Sequence, residues 1–345
     1  MHIPGHRVSP QVSLLTVRPG TVYWCPRRTV TRRLTQAVIK AHSVADPLTL
    51  FSPSKINLFL RIIRKRPDGY HDLASLFHVI DLGDTMTFSP IPRHADTLSC
   101  NMPGVPLDDS NLVIKALNLF RRHTGLQQFF QVHLEKKVPH GGGLGGGSAN
   151  AATTLWAANE LAGHPASNDQ LLQWSGEIGS DVSVFFSKGA AYCTGRGEIV
   201  EDVPPPLPLG TPLLLVKPPM GLATPDIFKA LDLSQCSKAD PRQLLQQMTE
   251  AGTMTQHMCV NDLERPAFER LAELQELKTS LQTRSDDRFT AVFMTGSGST
   301  MVGVGSSVAP VWMQERIHYQ DVFCSPAKLI ARKPEEWYQP SKAAD

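Results

Sequence analysis

Cysteine is scarce in this chain of 345 residues: there are six, at positions 25, 100, 193, 236, 259 and 324, and none forms a CxxC pair. That scatter fits neither a disulfide framework nor a zinc site, and it suits a reducing compartment. No apolar run approaches the ~18 residues needed to cross a bilayer, which excludes a spanning helix. No internal repeat is evident. Acidic residues are missing from the start of the chain, where Asp46 is the first, whereas Arg7, Arg18, Arg27, Arg28, Arg32, Arg33 and Lys40 all precede it. An Arg-rich, Ser/Thr-rich, acid-free start resembles an organelle transit peptide; the alternative is a basic tail with no address. Without those seven cations, 27 Lys and Arg stand against 32 acids, so the formal charge of +2 belongs to the leader and is no argument for nucleic-acid binding. Residues 1–45 are set apart as a disordered segment outside the fold.

What remains is an ordinary globular composition, 41% hydrophobic and 19% charged, with length enough for two domains. From Thr49 the chain reads as a strand in which Ile56, Leu58, Leu60 and Ile62 alternate with Lys55, Asn57 and Arg61, so Lys55 and Asn57 share the face away from the apolar one. Pro67-Asp68-Gly69 reads as a turn. The spacing predicts an amphipathic helix from Ser110 to about His123, capped by Asp109 or Ser110 and ended by Gly125. A strand follows at Phe129–Leu134, then helices at Ala149–Leu161 and about Asn168–Ile178. The stretch VPPPLPLGTP, 203–212, is the best boundary between two halves, 46–208 and 209–345. The second half holds a strand at Leu213–Val216, helical material to about 281, and two strand runs around TGSGS. Strands and helices that do not strictly alternate indicate an α+β fold.

Between the Phe129–Leu134 strand and the Ala-rich helix lies VPHGGGLGGGSAN, with six glycines in the seven positions from Gly141 to Gly147. Each costs roughly 0.5–1 kcal/mol relative to alanine. A glycine loop running into a helix N-terminus presents bare N–H groups and the positive end of the helix dipole, which is an anion site; the alternatives are a linker or a close-packing turn. Ser148 stands where this helix begins, able to cap it or to touch phosphate or a metal ion. No lysine follows the glycines, so the common Gly-Lys-Ser/Thr nucleotide loop is excluded. Gly141-x-Gly143-x-x-Gly146 matches the dinucleotide pattern by letter. The acid that pattern wants about 20 residues on is missing, since Glu160 falls within the predicted helix.

The glycine loop is similar to the Pro-x-Gly-x-Gly-Leu-Gly-Ser/Gly-Ser motif of the galactokinase, homoserine kinase, mevalonate kinase and phosphomevalonate kinase (GHMP) superfamily. SPSKINLFL (52–60), RPDGYHDL (66–73) and GSDVSVFF (179–186) resemble the 4-diphosphocytidyl-2-C-methyl-D-erythritol kinase family within it, and TGSGS (295–299) matches the superfamily's third glycine motif. The resemblance spans roughly residues 48–330. It departs from the pattern at Ser183, where members often have proline.

The resemblance implies a two-domain GHMP kinase fold, with a ribosomal-protein-S5-domain-2-like ATP-binding half and a ferredoxin-like second half. It implies transfer of the ATP γ-phosphate to the 2-hydroxyl of a cytidine-diphosphate-linked methylerythritol, on the route to isoprenoid precursors. The phosphate cradle would be Pro139, His140, Gly141, Gly142, Gly143, Leu144, Gly145, Gly146, Gly147, Ser148 and Ala149. Lys55 and Asp181 would flank the acceptor hydroxyl as catalytic residues; without the resemblance they read equally as a solvated strand charge and a turn cap. Tyr70 and His71 would recognise cytosine, Phe228 would stack on it, and Thr224 would touch the substrate phosphates; otherwise they are surface and core residues. Asn57 either bonds substrate or is a polar strand residue. Gly296, Ser297 and Gly298 would brace the first glycine loop, although a tight hairpin also explains them. No His, Cys, Asp or Glu set has metal-ligand spacing, so Mg²⁺ is expected to arrive with ATP. The partners implied are small molecules, with no nucleic acid and no membrane, acting on a monomer or weak homodimer. With the transit-like leader, the resemblance points to the plastid stroma. A homoserine- or mevalonate-type kinase, an NAD(P)-dependent oxidoreductase and a non-catalytic superfamily member are the rival readings. The Asp-Gly-Tyr-His segment argues against the first, the misplaced acid against the second, and the presence of both Lys55 and Asp181 against the third.

Overall fold

The computed structural model describes residues 46–284, 288–315 and 321–340; the predicted leader lies outside them. Its backbone is a long antiparallel pair, β1 (Leu48–Lys65) and β2 (His71–Ile91), closed by the predicted Pro67-Asp68-Gly69 turn. Gly69 takes a φ of 86°, and Asp68 Oδ1 accepts from the Tyr70 amide at 3.1 Å. β2 carries β1 along one edge. On the other it pairs with β4 (Phe129–Glu135) and β5 (Ala190–Thr194), which extend to β3 (Thr97–Cys100) and β6 (Ile199–Asp202). Strand β1 is not the half-solvated strand that its alternation suggests. Every residue from Ser52 to Ile62 is buried, Lys55 and Asn57 included, because both of its faces are covered.

Helix α1 (Leu112–Thr124) starts later than predicted. Its cap is Asn111, whose Oδ1 accepts from the Val113 amide, while Ser110 is committed to Asp108. Gly125 ends it in the left-handed region, as expected. Helix α2 (Gly146–Leu161) begins three residues before Ala149, because Gly145 at φ 68° turns the chain into it. Ser148 therefore sits inside the first turn and does not cap. Every residue from Ala149 to Asn159 is buried, and small side chains all round let α2 lie against α1, β1 and β2. Helix α3 (Asn168–Ser175) stops short of Ile178, and GSDVSVFF forms turns followed by a 3₁₀ segment at Ser183–Phe186.

The stretch 203–211 connects this sheet to a second one, built from β7 (Pro212–Lys217), β8 (Ala291–Met294), β9 (Met301–Val304) and β10 (Phe323–Lys328). Helices α4 (Thr224–Ala230), α5 (Pro241–Ala251), α6 (Glu264–Arg270) and α7 (Ala272–Thr283) lie between β7 and β8, and α8 (Val311–Glu315) precedes β10. The all-antiparallel order β10-β7-β9-β8 is the βαββαβ arrangement of a ferredoxin-like half. Three clusters of buried apolar side chains hold these layers: one under α1–α3, one between the two sheets, and one between the second sheet and α4, α6 and α7. The fold is the expected α+β one.

Candidate active site

The glycine loop follows β4 and is tied down at both ends. At its start Asp84, fully buried on β2, accepts from the amides of Lys137 and Val138 at 2.8 Å each, and pairs with the Lys136 ammonium at 2.5 Å. Asn150 of α2 donates to the same carboxylate, so strand, loop and helix share one anchor. Further along, the amides of Ser299 and Thr300 donate to the carbonyls of Gly141 and Gly142 at 3.3 Å. Gly143 lies against the 295–298 turn, and a Cβ there would collide with the Thr295 carbonyl while φ stands at 73°. The third glycine motif thus braces the first through backbone contacts that only missing side chains allow. Asn261 donates to the carbonyls of Met294 and Gly296 at 2.8 Å and holds the brace from behind.

Every residue from Pro139 to Ser148 lines a cavity of about 340 Å³; Ala149 is buried in α2. At its floor the Lys55 amide donates to the Leu144 carbonyl at 3.0 Å, which seats the lysine side chain directly beneath Gly145. The Lys55 ammonium donates to Asn57 Oδ1 at 2.7 Å and stands 3.4 Å from Asp181 Oδ2. Burial pulls the Lys55 pKa down, and the Asp181 carboxylate opposes that by favouring the charged form. Asn57 Nδ2 donates to Ser75 Oγ at 2.8 Å, and the Asn57 amide donates to Thr295 Oγ1 at 2.9 Å. With carbonyl and amino groups both occupied by protein, Asn57 orients the lysine. Asp181, at the end of the turn after Gly179, keeps a side chain 37% exposed to the cavity. Ser183, the departure from the family pattern, is buried and accepts from Ser175 Oγ at 2.9 Å, so it is accommodated within the turn.

A second cavity, of about 690 Å³, adjoins the first through Leu73, Ser180, Arg196, Thr224 and Phe228, which line both. Tyr70 and His71 line the second cavity and not the first. Tyr70 is 58% exposed, and the His71 and Phe228 rings lie 5.3 Å apart. Partial burial, and then Lys65 nearby, lower the His71 pKa, leaving a neutral ring able to both donate and accept. Thr224 Oγ1 and Ser297 Oγ are 2.7 Å apart, joining the start of α4 to the third glycine motif. Gly296 and Ser297 line the first cavity, whereas Gly298 packs against Met294 and Leu222 away from it.

Residues 111–189 match the model of the GHMP kinases N terminal domain. A 4-diphosphocytidyl-2-C-methyl-D-erythritol kinase, chloroplastic, of Oryza sativa subsp. japonica is 57% identical over 293 residues, covering 85% of this chain and 73% of its own. The chain belongs to the 4-diphosphocytidyl-2-C-methyl-D-erythritol kinase family. A bacterial member of this kinase family, from Protochlamydia amoebophila, is 44% identical over 84% of this chain and 93% of its own. A crystal structure of a 4-(cytidine 5'-diphospho)-2C-methyl-D-erythritol kinase superposes with a TM-score of 0.64 at 26% identity, over 81% of this chain and 99% of that one. The kinase family makes this an ATP-using enzyme of the GHMP type.

Sequence reasoning missed several residues of the site. Lys136 and Arg196 line the first cavity, and Ser75, Asp84 and Thr295 lock its walls. Lys136 stands five positions before the first glycine, which was a readable signal. Arg196 lies between two glycines in Gly-Arg-Gly-Glu, and nothing local marks it.

Proposed function

We propose that this chain transfers the γ-phosphoryl group of ATP to the 2-hydroxyl of 4-(cytidine 5'-diphospho)-2-C-methyl-D-erythritol, with Lys55 and Asp181 as the catalytic pair. The carrying observation is their 3.4 Å approach at the floor of a glycine-walled cavity that continues into an aromatic-lined one. The fit to a triphosphate rests on the loop itself. The first amides of α2 have no partner within the helix, and six glycines leave those N–H groups uncovered beside the cavity.

Asp181 orients the acceptor hydroxyl and takes its proton as the oxygen bonds to phosphorus. Lys55, buried and held by Asn57, stabilises the negative charge that builds on that oxygen and on the moving group. Phosphoryl transfer has a loose transition state, so this positioning and charge stabilisation supply most of what the protein must contribute. Magnesium, carried in with ATP, would neutralise phosphate oxygens. Ser148, in the first turn of α2 and lining the cavity, would offer that ion a hydroxyl oxygen, with phosphate and water the rest of its shell. At the other end Tyr70 and Phe228 stack on cytosine, with His71 bonding its edge and Thr224 near the diphosphate.

Residues 46–208 then act as the ATP-binding half and 209–345 as the half completing the substrate site, which the two sheets and the place of Thr224, Phe228 and Ser297 in the wall of the first cavity support. The chloroplastic name of the Oryza sativa relative and the acid-free start support a transit segment at 1–45 and a plastid stromal enzyme. No described helix is long and apolar enough to cross a membrane, and a monomer or weak homodimer working on small molecules is the assembly we propose. ATP consumption by the leaderless protein, measured against the cytidine-linked alcohol, homoserine and mevalonate, tests the reading. Turnover with the first is expected, and turnover with either of the others in its place would overturn the proposal.

A further inference from the structure

We infer that Arg196 grips the diphosphate of the substrate and thereby selects a nucleotide-linked alcohol over a free one. This inference rests on the substrate reading just given. An elongated substrate with a base in the aromatic cavity and its reacting hydroxyl beside Asp181 must pass two phosphates through the junction between the cavities. Five residues line both cavities: Leu73, Ser180, Arg196, Thr224 and Phe228. Among the described residues Arg196 is the one charged side chain in that set, so the negative charges meet it or meet hydroxyls alone.

The backbone aims it there. Residues 195–198 form a tight turn, with Gly195 at φ 69° and Gly197 at φ 118°. The Gly195 carbonyl accepts from the Leu73 amide at 2.8 Å, and a Cβ on Gly197 would stand 3.6 Å from Asp181 Oδ1. The turn is therefore pinned between the Tyr70–His71 strand and the catalytic turn. Glu198 steadies it by accepting from the Arg196 amide at 2.6 Å, and touches the side chain only through Nε at 3.5 Å. The guanidinium carbon lies 5.3 Å from the Tyr70 ring centre, within cation–π reach of the ring proposed to hold the base, and its two terminal nitrogens have no protein partner among the described residues. A planar guanidinium fork is suited to two adjacent phosphates in a way that a lysine ammonium is not.

The test compares cytidine, cytidine monophosphate and cytidine diphosphate as competitive inhibitors of the intact enzyme, for the parent chain and for Arg196→Met and Arg196→Lys. Loss of one charge-assisted contact predicts that Arg196→Met weakens cytidine diphosphate about tenfold to a hundredfold. Cytidine and the KM for ATP should stay within about twofold, because neither needs the guanidinium charge. Arg196→Lys should recover part of the diphosphate affinity. Equal weakening of cytidine and cytidine diphosphate would overturn the inference and make Arg196 a support for Tyr70 alone. Unchanged diphosphate affinity in a folded Arg196→Met would overturn it as well. If the parent chain bound neither cytidine nor its diphosphate, the substrate reading itself would fall, which separates that failure from this one.

Discussion

Lys55 is the residue on which most of the chemistry converges, and its environment is nearly all protein. Burial weakens its charged form, and the Asp181 carboxylate opposes that. The assigned roles of the pair are therefore unequal. Asp181→Asn keeps the shape but cannot accept the acceptor's proton, so kcat should fall by about two to four orders of magnitude with ATP binding little changed. Turnover close to the parent value in steady-state kinetics would remove the role. Tyr70 illustrates the opposite case. It is largely exposed and lines the second cavity alone, and in the proposed mode its stacking stabilises ground and transition states alike. Tyr70→Ala should raise the KM for the cytidine-linked substrate well beyond its effect on kcat. Equal losses of affinity for ATP and for that substrate would instead indicate misfolding.

The glycine loop is an element in which neighbouring glycines do different jobs. Gly143 is squeezed against the Thr295 carbonyl in the left-handed region, whereas a Cβ on Gly147 would meet only Leu112, at 3.7 Å. Gly143→Ala should lower the melting temperature and destroy ATP binding together. Gly147→Ala, within the first turn of α2, should stabilise folding by about 0.5–1 kcal/mol, while its methyl group crowds the phosphates and raises the KM for ATP. Thermal melts and ATP saturation curves on both variants distinguish the two roles, and a stable Gly143→Ala protein with normal ATP affinity would refute the bracing. The loop was legible as a candidate anion site because its six glycines run straight into an Ala-rich helix. Its brace was legible as a motif, but not as a partner, because the contact joins Gly143 to residues about 150 positions later.

At the scale of the molecule, the two sheets press together over a buried apolar layer, and that layer contains a histidine. His78 on β2, opposite Ile56 of β1 and Ala190 of β5, is fully buried; its Nδ1 bonds to the Val79 carbonyl and its Nε2 has no partner among the described residues. Burial pulls its pKa down to about 4, from the ordinary 6.5. Between those values the unfolded chain binds a proton that the folded one refuses. Stability should therefore be intact above about pH 6.5 and fall by about 3 kcal/mol as the pH drops to 4. Denaturant melts at pH 7 and 4.5 should show this loss, and His78→Leu should remove its share of it. An unaltered pH slope in the variant would exclude His78 as the cause.

Local pattern in the sequence determined where the chain turns and that a glycine loop runs into a helix N-terminus, since each depends on residues adjacent along the chain, while the resemblance singled out the short stretches that hold Lys55 and Asp181. The long strand β2 escaped notice because a strand buried on both faces loses its alternation. Tertiary structure alone decided that Lys55 is buried, that Asn57 holds it, and that Arg196 stands between the two cavities. Burial and charge pairing are set by what packs alongside from distant parts of the chain, and no window of sequence contains both sides of such a contact.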